Sequence, residues 1–215
     1  MKLFIYEHCP FCVKARMIFG LKQLPVELCV LSNDDETTPI SMVGQKMVPI
    51  LQKEDGSYMP ESLDIVKYVD DLDGKPVLTG TTNPAIDAWI RGVYDYAPRL
   101  LIPRFSQADF EEFATEAGRN YFINKKEGQI GSFATHFSQT DTLTKQLESD
   151  LQALAPLIVS SQACNGTLSL DDINLFPLLR SLTIVADVNV PAAVATYCDT
   201  MSQLANIDLL IEQAQ

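Results

Sequence analysis

The first 75 residues alternate between short apolar runs and apolar positions at helical spacing. Residues 2–6 are a short apolar and aromatic run of the kind that forms a buried strand, and residues 26–31 are predicted to form a second strand. Between them, Val13 and Met17 recur at the spacing of one helix face, and Pro10 suits the first position of a helix, where its missing N–H costs nothing. The pattern predicts a strand, a helix that begins at Pro10, and a second strand.

The alternation continues to the end of this segment. After a short helix, strands are predicted at residues 48–52 and 57–59, with Asp55-Gly56 between them as a hairpin turn, and a third amphipathic helix begins at Glu61. Alternating strands and helices indicate parallel pairing with right-handed crossovers, and the hairpin adds an antiparallel edge. We therefore expect a layered α/β segment at this end of the chain.

Helical spacing dominates the rest of the chain. Ser106 with Asp109, and Ser169 with Asp172, have the spacing of helix capping boxes. A last short helix is expected over residues 204–211. The clearest apolar stripe consists of five leucines at helical spacing, namely Leu143, Leu147, Leu151, Leu154 and Leu157.

These elements predict a fold of the α/β + all-α class with two domains. The composition changes at a turn-rich segment, after which Asn83 is placed to cap a helix that begins at Pro84. We expect an α/β domain over residues 1–75, a linker over 76–83 and an all-helical domain over 84–215.

Composition and charge narrow the classes of function. The chain has 215 residues, 47% of them hydrophobic, which is enough for a core without disulfide staples. The formal net charge of −12 argues against nucleic acid or an anionic membrane as a partner, because both attract clustered Lys and Arg. There is neither a secretory signal nor an apolar run of the roughly 18 residues that a membrane helix needs. We expect a soluble, cytoplasmic monomer.

Two of the five cysteines, Cys9 and Cys12, lie where the first strand meets the first helix. The thiolate is the nucleophile of disulfide exchange, and a helix N-terminus favours it through free N–H groups and a partial positive charge. The dipole accounts for roughly one pKa unit, so a larger shift requires hydrogen bonds from the N–H groups of Phe11 and Cys12, with a small addition from Lys14 and Arg16. We expect Cys9 to be the attacking thiolate and Cys12 the resolving thiol.

A Cys-x-x-Cys pair also occurs in zinc sites, which normally need a second pair of Cys or His ligands. The remaining cysteines, Cys29, Cys164 and Cys198, are isolated in sequence, and His8 is too close to Cys9 for ordinary metal ligation. The strand–helix context favours redox chemistry over metal binding or a purely structural role. No metal site is predicted.

The segment Tyr6-x-x-Cys9-Pro10-Phe11-Cys12, placed after the first strand, resembles the active-site motif of dithiol glutaredoxins. The resemblance implies that Cys9 and Cys12 are the catalytic pair and that Pro10 and Phe11 contact glutathione. Phe11 stands where tyrosine is frequent in that family, a difference that can alter the choice of partner.

Two later features agree with this resemblance. Val48-Pro49 before a strand is similar to the bend of thioredoxin-fold proteins, in which that proline is cis and faces the active-site cysteine. Glu61-Ser62 at the start of the third helix resembles the glutathione-binding segment of the glutathione transferase superfamily. The implied roles are pairing of the Val48 backbone with the extended tripeptide, binding of a carboxylate by the helix start with the Ser62 hydroxyl, and binding of an ammonium group by Glu61.

Over its whole length the chain resembles the bacterial glutaredoxin 2 family, in which a glutaredoxin-like domain precedes a transferase-like helical domain. The resemblance implies a glutathione-dependent dithiol oxidoreductase that reduces protein disulfides and glutathione mixed disulfides. Glutathione would be the reductant, and disulfide-containing or glutathionylated proteins the partners. The candidates for binding the glycine carboxylate of glutathione are Lys22 and Lys46.

Three other functions are compatible with parts of the sequence. A glutathione transferase is allowed by the helical domain and Glu61-Ser62, although such enzymes commonly use a Tyr, a Ser or a single Cys at the helix start. A non-enzymatic binding protein on the same scaffold would not need both cysteines. An iron–sulfur carrier is disfavoured by Pro10 and by the second cysteine.

Overall fold

The computed structural model describes all residues, 1–215. Its first seven elements form a sheet with helices packed on it, and the face of the first helix that carries Val13 and Met17 is buried, as the apolar spacing predicts. In chain order these elements are β1 (Lys2–Ile5), α1 (Pro10–Leu21), β2 (Glu27–Val30), α2 (Thr37–Val43), β3 (Ile50–Gln52), β4 (Tyr58–Met59) and α3 (Ser62–Asp71).

The four strands lie in the order β2-β1-β3-β4. β1 pairs parallel with β2, with Leu3 opposite Leu28, but β3 runs antiparallel to β1, with Leu3 opposite Leu51. Parallel pairing is therefore confirmed for β1 and β2 and is wrong for β3. The reason lies in α2, which has only seven residues and stays at the end of the sheet where β2 finishes, so that β3 runs back in the opposite direction.

The second half of the chain contains only helices and short 3-10 turns. None of its helices, and none in the first half, is long and apolar enough to cross a bilayer. The helices are α4 (Pro84–Tyr94), α5 (Ala97–Phe105), α6 (Glu116–Ile130), α7 (Phe133–Ser138), α8 (Thr140–Leu154), α9 (Leu170–Leu182) and α10 (Ala192–Ala205), and the 3-10 turns are Glu111–Phe113, Ala155–Leu157 and Ile211–Gln213.

Two local predictions in the helical half are wrong. Ser106 does not open a helix with Asp109; it ends α5, and its buried hydroxyl donates to the carbonyl of Pro103 at 2.6 Å. The helix expected over residues 204–211 does not form, because α10 continues to Ala205 and then stops at Asn206, whose left-handed backbone (φ 53°) terminates it.

The capping box at the start of α9 is confirmed. The Ser169 hydroxyl accepts a hydrogen bond from the N–H of Asp171 at 3.3 Å, and Asp172 accepts one from the N–H of Ser169 at 2.9 Å. Asp172 is fully buried, and its other oxygen accepts from the N–H of Cys164 at 2.7 Å and from the Tyr197 hydroxyl at 2.9 Å. One carboxylate thus joins α9 to the loop before it and to α10.

α1 lies between the sheet and the helical half. It contacts α3 on one side and α9 and α10 on the other, and a continuous hydrophobic core of 44 buried residues runs through both halves. The approach of α10 is closest at Gly20, where an added Cβ would lie 1.9 Å from the carbonyl oxygen of Ala205. A side chain at position 20 therefore cannot fit unless α1 and α10 separate.

We expect Gly20→Ala to lower the free energy of unfolding by about 1–3 kcal/mol, because the backbone of α10 must move away. Gly92→Ala in α4 is the matched control: its added methyl group meets nothing within 4 Å, so the better helix propensity of alanine should raise stability by roughly 0.5–1 kcal/mol. Urea unfolding followed by circular dichroism measures both. Equal stability of the two variants would contradict the close packing of α1 on α10.

Candidate active site

Cys9 occupies the position immediately before α1. Its backbone is extended (φ −72°, ψ 117°), Pro10 takes the first helical position, and no side chain caps the helix. The N–H groups of Phe11 and Cys12 are therefore available, and both lower the pKa of Cys9. Cys9 thus stands at the capping position of α1, as the sequence predicts.

The strongest contact of this sulfur is with Cys12. The Cys12 thiol donates a hydrogen bond to Cys9 and lowers the pKa of Cys9 more than any other contact, while burial acts in the opposite direction. The charge of His8 and the two backbone N–H groups lower it further, so that the pKa of Cys9 falls to about 7. Near neutral pH, about half of the Cys9 thiol is therefore ionised.

Lys14 and Arg16, expected to help lower the pKa of Cys9, are not among its main contacts. Lys14 donates to the Oδ1 of Asn174 on α9 at 2.7 Å, and its Nζ lies 5.2 Å from the ring centroid of Phe11. Arg16 is largely buried, with its Nε free of any hydrogen-bond partner. The thiol of Cys12 and the ring of His8 are the groups that lower the pKa of Cys9 beyond the effect of the helix start.

Cys12 has the opposite properties to Cys9. It is fully buried, and its Sγ accepts a hydrogen bond from the N–H of Tyr6 at 3.4 Å. Burial, together with the neighbouring Cys9, raises the pKa of Cys12 well above that of an ordinary thiol. The site therefore combines an outer thiol of lowered pKa with an inner thiol that keeps its proton near neutral pH.

Cys9 and Val48 line the same cavity, of about 210 Å³. Val48 is joined to the buried Pro49 by a cis peptide bond, as expected, and β3 begins directly after this bend. The antiparallel pairing of β3 with β4 then brings the start of α3, Glu61 and Ser62, to the same end of the sheet as the bend.

The start of α3 carries free hydrogen-bond donors. Glu61 is exposed, has a positive φ of 68° and gives no side-chain cap, while Ser62 is buried. The first N–H groups of α3 therefore have no partner within the helix. A positive φ at a residue such as Glu61 costs on the order of 1–3 kcal/mol of conformational free energy and persists only where the surrounding structure imposes it. Neither residue lines the cavity at Cys9 itself.

Three lysines make the cavity beside Cys9 basic. The Nζ of Lys46 donates to the carbonyl of Asn33 at 2.6 Å and lies 3.6 Å from the ring centroid of Tyr121. Tyr121 belongs to α6, and Lys125 and Lys126 of the same helix also line this cavity. The helical half therefore supplies one wall of the cavity, including two cations that no motif in the sequence indicated.

Lys22 does not reach this cavity. Its Nζ donates to the carbonyl of Asp70 and to the carboxylate of Asp73, both at 2.7 Å, beyond the end of α1 that is remote from Cys9. Its role is to join α1 to the end of α3. The sequence-based suggestion that Lys22 binds the glycine carboxylate is therefore wrong, and Lys46 is the candidate that borders the cavity.

A second cavity, also of about 210 Å³, lies on the other side of Cys9. Pro10 and the exposed Phe11 line it from the first half of the chain. The predicted contact residues are therefore divided between the two sides of the sulfur, with Val48 on one side and Pro10 with Phe11 on the other. The helical half contributes a mainly apolar wall that includes Tyr94, Leu101, Ile102, Phe105, Phe122 and Leu178.

The sequence prediction missed Glu112, which holds the turn before Cys9. Glu112 is fully buried and accepts hydrogen bonds from the N–H groups of Glu7 at 3.0 Å and of His8 at 3.1 Å, and from Nδ1 of His8 at 2.6 Å. Arg180 of α9 donates to the carbonyl of Glu7 at 3.1 Å. The partners of the Glu112 carboxylate are more than 100 residues away in the sequence. The phenylalanines next to Glu112 are therefore the only sign in the sequence that it is buried.

The fold and the site together define the class of protein. A thioredoxin-like layer carries a Cys-x-x-Cys pair at a helix start, and the helical half is that of the glutathione transferase fold. Residues 3–77 match the family described as the N-terminal domain of glutathione S-transferase, and residues 85–214 match the family described as the C-terminal domain of glutaredoxin 2. The predicted fold class is confirmed.

Full-length relatives make the assignment specific. Glutaredoxin 2 of Escherichia coli strain K12 is 59% identical over 214 residues, covering 100% of both chains. The crystal structure of glutaredoxin 2 from Salmonella typhimurium in complex with glutathione gives a TM-score of 0.99 at 59% identity, covering 100% of this chain and 98% of that one. A glutathione S-transferase from Rhodospirillum rubrum shares the fold, with a TM-score of 0.62 at 17% identity, covering 95% of this chain and 89% of that one. The chain belongs to the glutaredoxin 2 family.

We expect Cys12→Ala to raise the pKa of Cys9 by about one unit, because the largest single stabilising contact of the thiolate is lost. Cys12→Ser keeps a hydroxyl donor at the same place, so its pKa should stay closer to that of the wild type. The measurement is the pH dependence of Cys9 alkylation by iodoacetamide, which rises with pH as the thiolate forms. If both variants gave the wild-type midpoint, the hydrogen bond from Cys12 would not control Cys9.

Proposed function

We propose that the chain is a glutathione-dependent dithiol oxidoreductase that reduces protein disulfides and glutathione mixed disulfides. The observation that carries the proposal is the pair of unlike sulfurs, an outer Cys9 with a pKa of about 7 and a buried Cys12 that keeps its proton. Disulfide exchange needs a thiolate that attacks and a second thiol within reach. Relatives named glutaredoxin 2, one of them solved in complex with glutathione, support glutathione as the reductant.

The proposed reduction of a protein disulfide has two exchanges. The Cys9 thiolate attacks one sulfur of the partner, the partner's S–S bond breaks, and the other partner sulfur leaves as a thiolate that takes up a proton. Cys12 then loses its proton and attacks the Cys9 sulfur, which releases the second partner thiol. The partner has gained two electrons, and Cys9 and Cys12 are joined in a disulfide.

Glutathione then restores the dithiol. One glutathione thiolate attacks the Cys9–Cys12 disulfide and forms a mixed disulfide at Cys9, and Cys12 recovers its proton. A second glutathione attacks the glutathione sulfur of that mixed disulfide, so that glutathione disulfide leaves and the Cys9 thiolate reappears. With a glutathionylated substrate, the Cys9 thiolate attacks the glutathione sulfur, the substrate's S–S bond breaks and its thiolate leaves and takes up a proton. This forms the same mixed disulfide and requires only Cys9.

In this proposal, glutathione extends from Cys9 past the Val48–Pro49 bend to the start of α3. The backbone of Val48 pairs with the extended tripeptide. The free N–H groups of α3 and the Ser62 hydroxyl bind the carboxylate of the γ-glutamyl end, and Glu61 binds its ammonium group. The basic wall that includes Lys46 attracts the glycine carboxylate, which is otherwise unfavourable beside a chain of net charge −12.

The same proposal includes the expected organisation of the chain. A domain over residues 1–75, a linker over 76–83 and a helical domain over 84–215 agree with the end of α3 at Asp71 and the start of α4 at Pro84. We propose action on protein partners in the cytoplasm, where glutathione keeps thiols reduced. We also propose a monomer, because the cavities beside Cys9 are walled by the two halves of one chain.

Reduction of a glutathionylated peptide, coupled to glutathione turnover, tests the assigned roles. Cys9→Ser should lose at least about a hundredfold in rate, because a hydroxyl is a poor nucleophile towards sulfur. Cys12→Ser should keep much of this activity and lose the reduction of a protein disulfide. Cys29→Ser is the matched control and should behave like the wild type. Retained activity of Cys9→Ser, or faster conjugation of an aryl halide than disulfide reduction, would contradict the proposal.

Ser62→Ala should raise the KM for glutathione by about 5–20-fold, which corresponds to about 1–2 kcal/mol for one lost hydrogen bond to a carboxylate while the N–H groups of α3 remain. Ser41→Ala, at an exposed position in α2, is the control and should leave the KM unchanged. Thermal unfolding of both variants separates binding from stability. An unchanged KM for Ser62→Ala would remove Ser62 from the glutathione site.

A further inference from the structure

The turn that precedes Cys9 depends on a carboxylate from the helical half of the chain. Two of the three hydrogen bonds to the Glu112 carboxylate come from backbone N–H groups, and these fix the path of the turn. The third and shortest, at 2.6 Å, comes from Nδ1 of His8, a side chain that can carry a positive charge. This third contact gives Glu112 a means to influence chemistry as well as folding.

The ring of His8 is held rigidly next to Cys9. It stacks on Tyr6 with an interplanar angle of 6°, and it contacts Phe113 and Phe122 with centroid distances of 5.3 and 5.1 Å. His8 is 9% exposed, yet it borders both cavities that meet at Cys9. Aromatic groups surround the ring, and the carboxylate of Glu112 is its one charged hydrogen-bond partner.

The groups around His8 and Glu112 keep the carboxylate of Glu112 ionised. Arg16 of α1 and Arg180 of α9 both interact electrostatically with Glu112, and both also face Glu7. Burial alone would raise the pKa of Glu112, but the hydrogen bonds from His8 and from the backbone outweigh it, and the pKa is lowered. The carboxylate therefore meets the ring of His8 as an anion.

We propose that Glu112 is a positioning residue for the reaction of Cys9 and acts through His8: it orients the ring by Nδ1, and the oriented ring stabilises the neighbouring Cys9 thiolate. The proposal rests on the function proposed above for Cys9. It adds that the reactivity of the nucleophile depends on a residue of the helical domain.

The direction in which the pKa of Cys9 changes when the Glu112 carboxylate is removed distinguishes this role from two others. A carboxylate that acted directly on Cys9 would repel the thiolate, so its removal would lower the pKa of Cys9. A carboxylate that only held the turn would leave the pKa of Cys9 unchanged while the melting temperature fell. A carboxylate that acts through His8 stabilises the thiolate, so its removal raises the pKa of Cys9.

The variant Glu112→Gln removes the charge and keeps the size and an oxygen acceptor. We expect the pKa of Cys9 to rise by about 0.5–1 unit, which slows alkylation by iodoacetamide at pH 6 by about 3–10-fold. Glu111→Gln is the control, because the adjacent glutamate is exposed and should give no change. A fall or no change in the pKa of Cys9 in Glu112→Gln would overturn the proposal. Alkylation needs no glutathione, so this outcome is independent of whether the wild type turns over mixed disulfides.

A double variant tests whether His8 is the intermediary. His8→Phe should itself raise the pKa of Cys9, and adding Glu112→Gln to it should give no further rise; a further rise would overturn the route through His8. The wild type offers a measurement that needs no variant. Nitrogen NMR of the His8 ring should show a proton on Nδ1, and an unprotonated Nδ1 would overturn the proposal even if the Glu112 variant did not fold.

Discussion

The uncapped start of α1 is the constraint on which the active site depends. A helix start leaves N–H groups without partners, and because no side chain caps α1, these N–H groups lower the pKa of Cys9 at the preceding position. A sulfur accepts hydrogen bonds best as a thiolate, and folding of the helix therefore favours ionisation of Cys9. The separation of three positions then places Cys12 about one turn further in, where its thiol donates to the same sulfur. Local helix geometry thus supports the proposed role of Cys9 as the attacking thiol.

The helical half completes what the α/β layer begins. The layer supplies the nucleophile, the Val48–Pro49 bend and the start of α3, but these leave both sides of Cys9 open. Tyr121 and its neighbouring lysines on α6 close one side, and an apolar wall that includes Tyr94 closes the other. Glu112 fixes the turn before the nucleophile. The second half is therefore part of the proposed active site, and one continuous core joins the two halves.

Features that depend on neighbouring residues could be predicted from the sequence, and features that depend on distant ones could not. The position of Cys9 before α1 follows from the strand, Pro10 and the helical spacing, and the α9 capping box follows from Ser169-x-x-Asp172. The antiparallel direction of β3 depends on how far α2 travels across the sheet, which spacing does not specify. Glu112 has no sequence signature, because its role arises only when the helical half packs on the turn.

The contacts that ionise Cys9 also favour both exchange steps. They stabilise the reduced, folded protein with its thiolate, but they are lost when Cys9 is in a disulfide. Because the pKa of Cys9 is depressed on folding, from 9.0 to about 7, this contribution is fully present above about pH 9 and is lost as the pH falls through about 7. A sulfur with a low pKa is also a good leaving group, so a mixed disulfide at Cys9 is readily displaced. One set of hydrogen bonds therefore promotes attack by Cys9 and its later release.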